Sequence, residues 1–424
     1  MPYARALIGV IGFCLIAWCL SSDRRRFPWR TVLVGISGQV LIALFILRTS
    51  AGRAFFEGVG AFFQRLVGMT EEGTKVVFGS LGASDGPAGF VFAFAGTGLV
   101  VIVFFSALMA VLYHLGLMQV LVWLLAKVMS RTMGLSGGEA MASAANIFMG
   151  QTEAPLVVRP YLARMTRSEL NALMIGGFAT IAGSVMAIYM AQLGELGAHL
   201  VTASVMSAPA SFVIAKILMP ETEVSETAGR VELEVKRSAA NTIEAATNGT
   251  LDGLKLWWNV IAMLIAFIAL VKLVDWPLGW VGTQLAAIGL LDVPADGVAL
   301  SLGRIFGWIF SPVAWLIGVS NWSDCQTFGG LLGTMVSQNE FLGFLALKRC
   351  IAENAFQDPR SAAMAAYALC GFANFASIGI QIGGISALVP ERKTELSRLG
   401  LRAMIGGAMS CWMTATIAGC FLEA

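Results

Sequence analysis

Charged side chains are scarce in this sequence of 424 residues. Asp, Glu, Lys and Arg together make up 13% of it, whereas hydrophobic residues make up 57%. A soluble globular protein has about 25% charged residues, and a surface that faces water cannot be built from so few. Lipid must therefore cover much of the surface. The sequence predicts an integral membrane protein, although its length alone would suggest two or three soluble domains.

Residues typical of metal and redox chemistry are equally scarce. The two histidines, His114 and His199, lie far apart, and the seven cysteines form no C-x-x-C pair. Scattered cysteines in apolar segments are usually small core residues, so we expect neither a metal cluster nor a disulfide framework. The net charge of +2 forms no basic stripe, so a nucleic-acid partner is not expected. The absence of a nucleophile elbow and of a cofactor fingerprint argues against a membrane-embedded enzyme.

Long apolar runs dominate what is present. A spanning helix needs about 20 mostly apolar residues. Eight runs qualify, and we predict that all eight cross the membrane: 4–20, 30–47, 90–113, 170–192, 201–219, 256–273, 363–388 and 400–421. The fold class is therefore predicted to be an all-α polytopic membrane protein with eight transmembrane helices. The run 51–67 is short and amphipathic and is expected to lie at the membrane interface.

Two further runs, 141–162 and 328–347, are polar at their centres. They contain Glu153 and Glu340, and a glutamate in the middle of a membrane is costly. A helical hairpin that enters and leaves on the same side would place each polar centre at a tip sheltered by protein. We therefore predict two re-entrant hairpins.

The distribution of Lys and Arg predicts the orientation. Four positively charged regions, at 21–30, 127–167, 220–248 and 390–402, fall on one side if both polar runs are hairpins. The positive-inside rule makes that side cytoplasmic. Both termini are then periplasmic in a bacterial inner membrane.

An internal repeat relates the two halves of the chain. Gln151-Thr152-Glu153 matches Gln338-Asn339-Glu340, and the block 177–182 resembles the block 371–376 in the same order. Each unit has three crossings, so the second unit starts on the opposite side and the repeat is inverted, as in many secondary transporters. We divide the chain into an N-terminal pair of helices with an interfacial helix (1–88), a first repeat unit (89–219), a connector (220–255) and a second repeat unit (256–424).

The polar residues at the centre are amides, hydroxyls and carboxylates, with no Lys or Arg. This set suits a neutral ligand with several hydroxyl groups, and it does not suit a phosphorylated one. A purely structural role stays open for each group. Glu153 and Glu340 could pair with helix N-termini, Thr180 could bond within its helix, and Asn146 and Asn374 could link helices.

Three motifs resemble those of the concentrative nucleoside transporters, and their occurrence together in the same order makes the resemblance specific. They are Gly150-Gln151-Thr152-Glu153-Ala154-Pro155, Asn339-Glu340-Phe341, and Cys370-Gly371-Phe372-Ala373-Asn374-Phe375. The resemblance covers the whole chain and is to bacterial members with eight spans. It implies a homotrimer in which spans 90–113 and 256–273 form a scaffold, while the rest moves as an elevator.

The resemblance also implies residue roles. Gln151 and Thr152 would read the nucleobase, with Glu153 acting nearby through water. The ribose would bind to Glu340, Asn374 and Ser377, and the base and sugar would be lined by Val185 and Phe372. A sodium site would use the side chains of Asn146 and Thr180 and the carbonyls of Met149 and Ile181. The family more often has serine at position 180, and threonine keeps the hydroxyl.

We therefore expect a sodium-coupled symporter that imports nucleosides such as uridine, cytidine or adenosine. Two alternatives stay open: a proton-coupled nucleoside transporter, in which Glu153 or Glu340 could serve, and a transporter of another neutral polar solute such as a nucleobase. A channel is disfavoured because two enclosed hairpin tips favour occlusion over an open pore.

Overall fold

The fold is all-helical across the part of the chain that the structure describes. The computed structural model describes residues 2–82, 91, 93–95, 98–228, 239–291, 293 and 297–422, and these residues contain no strand. Residues 90, 92, 96 and 97 of the predicted third span and 229–238 of the predicted connector lie outside the described residues.

In chain order the helices are α1 (Pro2–Cys19), α2 (Trp29–Arg48), α3 (Ser50–Phe78), α4 (Val101–His114), α5 (Leu117–Met133), α6 (Gly137–Asn146), α7 (Ala154–Val157), α8 (Arg159–Leu162), α9 (Arg167–Phe178), α10 (Gly183–Leu193), α11 (His199–Leu218), α12 (Thr242–Ala287), α13 (Leu302–Ile317), α14 (Trp322–Ser337), α15 (Glu340–Ala352), α16 (Pro359–Ala368), α17 (Phe375–Ser386) and α18 (Lys393–Gly419). Short 3-10 turns lie at Gly79–Gly82, Gly194–Ala198 and Pro390–Arg392.

Four helix breaks coincide with the repeated sequence blocks. Break 1 is residues 147–153 between α6 and α7, break 2 is 179–182 between α9 and α10, break 3 is 338–339 between α14 and α15, and break 4 is 369–374 between α16 and α17. Break 1 contains the triplet 151–153, and break 3 contains the first two residues of the matching triplet, whose third residue, Glu340, begins α15. Break 2 lies within the block 177–182, and break 4 overlaps the block 371–376. The chain is therefore interrupted at the polar centre of each predicted hairpin and again at the second matching block of each repeat unit.

Side-chain caps fix where the helices around the breaks begin. The Ser136 hydroxyl accepts a hydrogen bond from the Glu139 backbone N–H, and the Glu139 carboxylate accepts one from the Ser136 backbone N–H, so α6 starts with a capping box. Thr166 and Glu169 form the same arrangement at α9. These caps satisfy backbone N–H groups that have no partner within the helix.

Several helices have the length and composition of membrane spans. Four segments qualify alone: Trp29–Arg48, Arg167–Leu193, Leu196–Leu218 and Thr242–Ala287. Two bent pairs add up to two more, α4 with α5 at 75° and α13 with α14 at 112°. By this criterion the described helices give four to six crossings, and the eight predicted spans stay a prediction. The span predicted over 363–388 consists of α16 and α17, which are short because break 4 separates them.

The longest helix, α12, runs through 46 residues and extends beyond the predicted span 256–273 in both directions. Its start is set by Asn241, whose side chain accepts from the Glu244 backbone N–H at 2.9 Å, so the helix begins inside the segment assigned to the connector. It packs closely along α4, because a Cβ at Gly253 would lie only 2.7 Å from the Val103 Cα. Only 11% of its most apolar window is buried. The helix therefore combines one close helix partner with a broad apolar surface.

A buried ion pair joins α6 to α11. The Lys216 ammonium lies 2.6 Å from the Glu139 carboxylate, and the two side chains are 6% and 3% exposed. The same ammonium donates to the Ser168 hydroxyl at 2.9 Å and lies 3.6 Å from Glu221. One lysine thus connects the start of α6, the start of α9 and the end of α11. The carboxylate that caps α6 also neutralises a charge that has almost no access to water.

We predict that Lys216→Met lowers the thermal unfolding temperature of the purified protein, because it leaves the buried Glu139 charge without its partner. Breaking a buried pair in this way typically costs about 3–5 kcal/mol. The double variant Lys216→Met, Glu139→Gln should recover most of the loss, since glutamine keeps the capping box and the Glu139 charge is removed together with its partner.

The matched control is Lys255→Met, which removes an exposed lysine 3.5 Å from Asp252. A surface pair of this kind contributes at most about 1 kcal/mol. Equal melting temperatures for the Lys216 and Lys255 variants would contradict the role assigned to the buried pair.

Candidate functional site

The four helix breaks surround one cavity of about 360 Å³. Break 1 contributes residues 150–153, break 2 contributes Ala182, break 3 contributes Asn339, and break 4 contributes Phe372 and Asn374. Residues from the first two turns of α10 and α17 and the first two residues of α15 add further lining, and α12 closes one side. The cavity therefore lies where the two sequence repeats meet and where helices begin.

All eight substrate residues implied by the resemblance line this cavity. They are Gln151, Thr152, Glu153, Val185, Glu340, Phe372, Asn374 and Ser377. Residues from both halves of the chain are thus brought together, although they are far apart in sequence.

The Glu340 carboxylate is held by a donor on each oxygen. The Tyr189 hydroxyl donates to Oε1 at 2.9 Å, and the Asn374 amide donates to Oε2 at 3.0 Å. Asn374 is itself fixed, because its Oδ1 accepts from the Ser377 backbone N–H at 2.9 Å and so caps α17. Glu340 is the first residue of α15, where the N-terminal helix dipole favours a negative charge. Only 6% of Glu340 is exposed, so its orientation is set by the protein.

Break 1 presents an amide, a hydroxyl and a carboxylate side by side. Gln151 is buried, and its Oε1 has no hydrogen-bond partner among the described residues. Glu153 is exposed, and its carboxylate accepts from the Gly150 backbone N–H at 3.2 Å. Gln151 packs directly on Gly177, where an added Cβ would lie 2.9 Å from the Gln151 Cβ and would overlap the Gln381 amide. A glycine at 177 is therefore needed for break 1 to reach this position.

The opposite wall is mostly apolar and comes from α12. It consists of Leu256, Asn259, Val260, Met263 and Leu264. Asn259 is the polar exception in this set. This wall belongs to the helix that packs along α4, whereas the polar residues belong to the helices with breaks.

Sequence reasoning missed Tyr189 and Asn259 among the lining residues. Tyr189 follows Val185 by one helical turn, so the two side chains share a face of α10, and this spacing was a usable signal. Asn259 sits in a long apolar run, where a single amide carries little weight. Gln338, Gln381 and Thr180, which are polar residues near the breaks, do not line the cavity.

The four residues implied for sodium lie outside the cavity, on or beside breaks 1 and 2. Asn146 is 1% exposed, and neither atom of its amide has a hydrogen-bond partner among the described residues. Thr180 is buried, and its hydroxyl donates to the Gly176 carbonyl at 2.9 Å. Met149 is partly buried and Ile181 fully buried. Asn146 and Thr180 both lie next to Gly176, since an added Cβ there would be 3.2 Å from the Asn146 amide nitrogen.

This donor set fits a hard cation. Hard cations take oxygen ligands from carboxamides, hydroxyls and backbone carbonyls, and the last carbonyls before a helix break have no partner within their helix. The Phe148 carbonyl accepts from the Gly183 backbone N–H at 3.0 Å, which ties break 1 to the start of α10, directly after break 2. A buried amide without a partner costs free energy unless a ligand satisfies it. Asn146 is therefore the strongest structural indication of a bound group outside the cavity.

Comparison with known families decides the identity of the chain. Residues 199–419 match the profile described as Na+ dependent nucleoside transporter C-terminus, and residues 8–81 match its N-terminus. Residues 97–196 match a gate profile described as nucleoside recognition. The chain belongs to the Na+-dependent nucleoside transporter family. The resemblance inferred from the motifs is confirmed, and the family is one of transporters and not of enzymes.

Relatives of this nucleoside transporter span its full length. An uncharacterized transporter from Haemophilus influenzae is 40% identical and covers 100% of this chain and 98% of its own. The rat sodium/nucleoside cotransporter 1 is 39% identical over 97% of this chain. The chain spans 62% of the length of that rat relative.

Solved structures of CNTnw match the nucleoside transporter fold in more than one state. An inward-facing substrate-bound structure has a TM-score of 0.89 at 38% identity and covers 99% of both chains. A variant in an outward-facing state has a TM-score of 0.90 at 38% identity and covers 99% of this chain and 98% of its own. Such states in similar proteins support transport by alternating access.

Proposed function

We propose that the chain is a secondary active symporter that imports nucleosides together with sodium across a bacterial inner membrane. The observation that carries the proposal is the single cavity lined by all eight residues implied for the substrate. The family membership and the unpartnered amide of Asn146 support sodium as the coupled ion.

The chemistry of the cavity favours a nucleoside over other small solutes. Its lining contains no Lys or Arg among the described residues, so a phosphate group would find no cationic partner. The fixed Glu340 carboxylate, with Asn374 and Ser377 beside it, suits the hydroxyls of a ribose. Gln151 and Thr152 offer donors and acceptors for a base edge, and Val185 and Phe372 supply apolar contact for the rings. The volume of about 360 Å³ lies within the range of small-molecule sites.

Sodium would bind between breaks 1 and 2, through the Asn146 and Thr180 side chains and the Met149 and Ile181 carbonyls. The Thr180 hydroxyl hydrogen is used by Gly176, so its oxygen is free to face a cation. Because break 1 also carries Gln151, Thr152 and Glu153, the ion and the substrate would share one short segment of chain.

The membrane arrangement belongs to the same proposal. Eight spans and two re-entrant hairpins, one at break 1 and one at break 3, would place both termini in the periplasm. The chain would keep its four segments, which end at residues 88, 219, 255 and 424. The helices with breaks would move as an elevator body against α4 and α12. The close packing of α12 on α4 supports one scaffold unit, and the exposed apolar surface of α12 leaves room for a homotrimer interface.

Two other functions remain as outcomes of the test. Proton coupling is favoured by one observation, the two carboxylates of Glu153 and Glu340 at the cavity. Transport of another neutral polar solute, such as a nucleobase, would use break 1 without the ribose contacts.

The deciding experiment is uptake of radiolabelled uridine into proteoliposomes, with and without an inward sodium gradient. We expect uptake that rises with sodium and is competed by excess nucleoside. Uptake driven only by a proton gradient would support the nucleoside as substrate and would contradict the proposed sodium site. If folded protein gives no uptake under either gradient, a nucleobase or another neutral solute becomes the substrate to test.

For the ion site, we predict that Asn146→Ala raises the sodium concentration needed for half-maximal uridine uptake at least about tenfold, equivalent to about 1.4 kcal/mol. Uptake at saturating sodium should change less, because the substrate residues are untouched. The control is Asn248→Ala, an exposed asparagine on α12. Unchanged sodium activation in Asn146→Ala would move the ion site elsewhere.

For the substrate site, we predict that Glu340→Gln reduces uridine affinity by about tenfold or more, because hydrogen bonds to a charged acceptor contribute about 1.5–3 kcal/mol. Equilibrium binding to purified protein measures the effect without the transport cycle. Glu353→Gln, an exposed glutamate just after the same helix, should bind uridine as the native protein does. Native affinity in Glu340→Gln would exclude this carboxylate from the ribose site.

A further inference from the structure

Tyr189, from the first half of the chain, contacts Glu340 in the second half. Its hydroxyl donates to Glu340 Oε1 at 2.9 Å, and the residue is only 1% exposed, yet it lines the cavity. Asn374, from the second half, donates to the other oxygen at 3.0 Å. The carboxylate is therefore clamped from both sides by donors that belong to different repeat units.

The ring of Tyr189 is held so that its hydroxyl has little freedom. It packs against Phe344 with ring centroids 4.5 Å apart and against Phe341 at 5.7 Å. Phe341 and Phe344 lie on α15, the helix that begins with Glu340. The aromatic contacts and the hydrogen bond thus fix α10 and the start of α15 to each other.

A carboxylate has about four lone-pair sites, and two of those on Glu340 are taken by protein donors, one per oxygen. Each oxygen keeps acceptor capacity for a ligand. Two neighbouring hydroxyls of a ribose could then each donate to one oxygen, in the way that forked donors pair with carboxylates. If one protein donor were lost, the carboxylate could turn about its last bond and the two ligand positions would no longer be equivalent.

We propose that Tyr189 is a positioning residue that orients the Glu340 carboxylate and thereby sets how strictly the transporter requires the two ring hydroxyls of its nucleoside. The inference rests on the proposed nucleoside function and extends it, since Tyr189 acts through Glu340. A purely structural tyrosine would affect folding stability and leave the hydroxyl preference unchanged.

The test compares Tyr189→Phe with the native protein in binding and uptake of uridine, 2′-deoxyuridine and 3′-deoxyuridine. Phenylalanine keeps the ring contacts and removes only the donor. We expect the uridine concentration for half-maximal uptake to rise about three- to thirtyfold, with a smaller change in the maximal rate. The penalty for a missing hydroxyl is the factor by which binding weakens from uridine to the deoxyuridine. For at least one of the two deoxyuridines, this penalty should change about threefold or more.

The matched control is Tyr367→Phe, which removes another buried tyrosine hydroxyl, one that lies 3.2 Å from His199 Nδ1 and outside the cavity. It should keep the native preference among the three nucleosides. Phe344→Leu is a second variant, because Phe344 supports the Tyr189 ring without lining the cavity. It should shift the preference in the same direction as Tyr189→Phe.

The outcomes separate this inference from the proposed function. If the native protein neither binds nor takes up uridine, the proposed function fails and takes the inference with it. If the native protein transports uridine, and Tyr189→Phe and Phe344→Leu both keep the native penalties for the two deoxyuridines, the positioning role alone is overturned. A fall in unfolding temperature with unchanged penalties would also overturn it, because Tyr189 would then have a structural role only.

Discussion

Backbone groups released by a helix break must find partners inside the protein when the surroundings are apolar, and the rest of this structure depends on that constraint. In lipid an unsatisfied N–H or C=O costs several kcal/mol, so each break needs local polar side chains. Asn374 caps the helix after break 4, and Asn339 caps the helix after break 3 through the Leu342 backbone N–H. At break 1 the Glu153 carboxylate accepts from the Gly150 backbone N–H. The side chains that accept hydrogen bonds from these backbone N–H groups also line the cavity.

The division of the cavity wall follows from the same constraint. Polar side chains are concentrated at the breaks, where Asn339, Asn374 and Glu153 also accept hydrogen bonds from backbone N–H groups. The uninterrupted helix α12 has no such need and presents a largely apolar wall with one amide, Asn259. An apolar wall can slide past a polar one without breaking hydrogen bonds, whereas two polar walls could not. This asymmetry is compatible with movement of the interrupted helices relative to α12.

Much of this arrangement could be predicted from sequence, because the signals were local. The matching triplets at 151–153 and 338–340 mark breaks 1 and 3, which are the polar centres of the two predicted hairpins, and the second pair of blocks overlaps breaks 2 and 4. The contact between Tyr189 and Glu340 had no local signal, since it joins helices from different halves of the chain. The length of α12 also could not be predicted from the sequence. Hydropathy reports which residues can face lipid and not whether a helix continues, and Asn241 rather than an apolar boundary sets its start.

The two polar centres differ in how completely the protein satisfies them. Both oxygens of Glu340 already have donors, so this group is held in place before any ligand arrives. The amide of Asn146 has no partner on either atom among the described residues, so this group gains most from a ligand. Break 1 starts directly after Asn146 and carries Gln151, which faces the cavity. A cation that orders break 1 would therefore lower the entropic cost of binding at Gln151, and by linkage the substrate would strengthen cation binding by the same factor. With sodium at Asn146 and the nucleoside at Gln151, as proposed, coupling between the ion and the solute would need no long pathway, because the two proposed sites would share one short segment of chain.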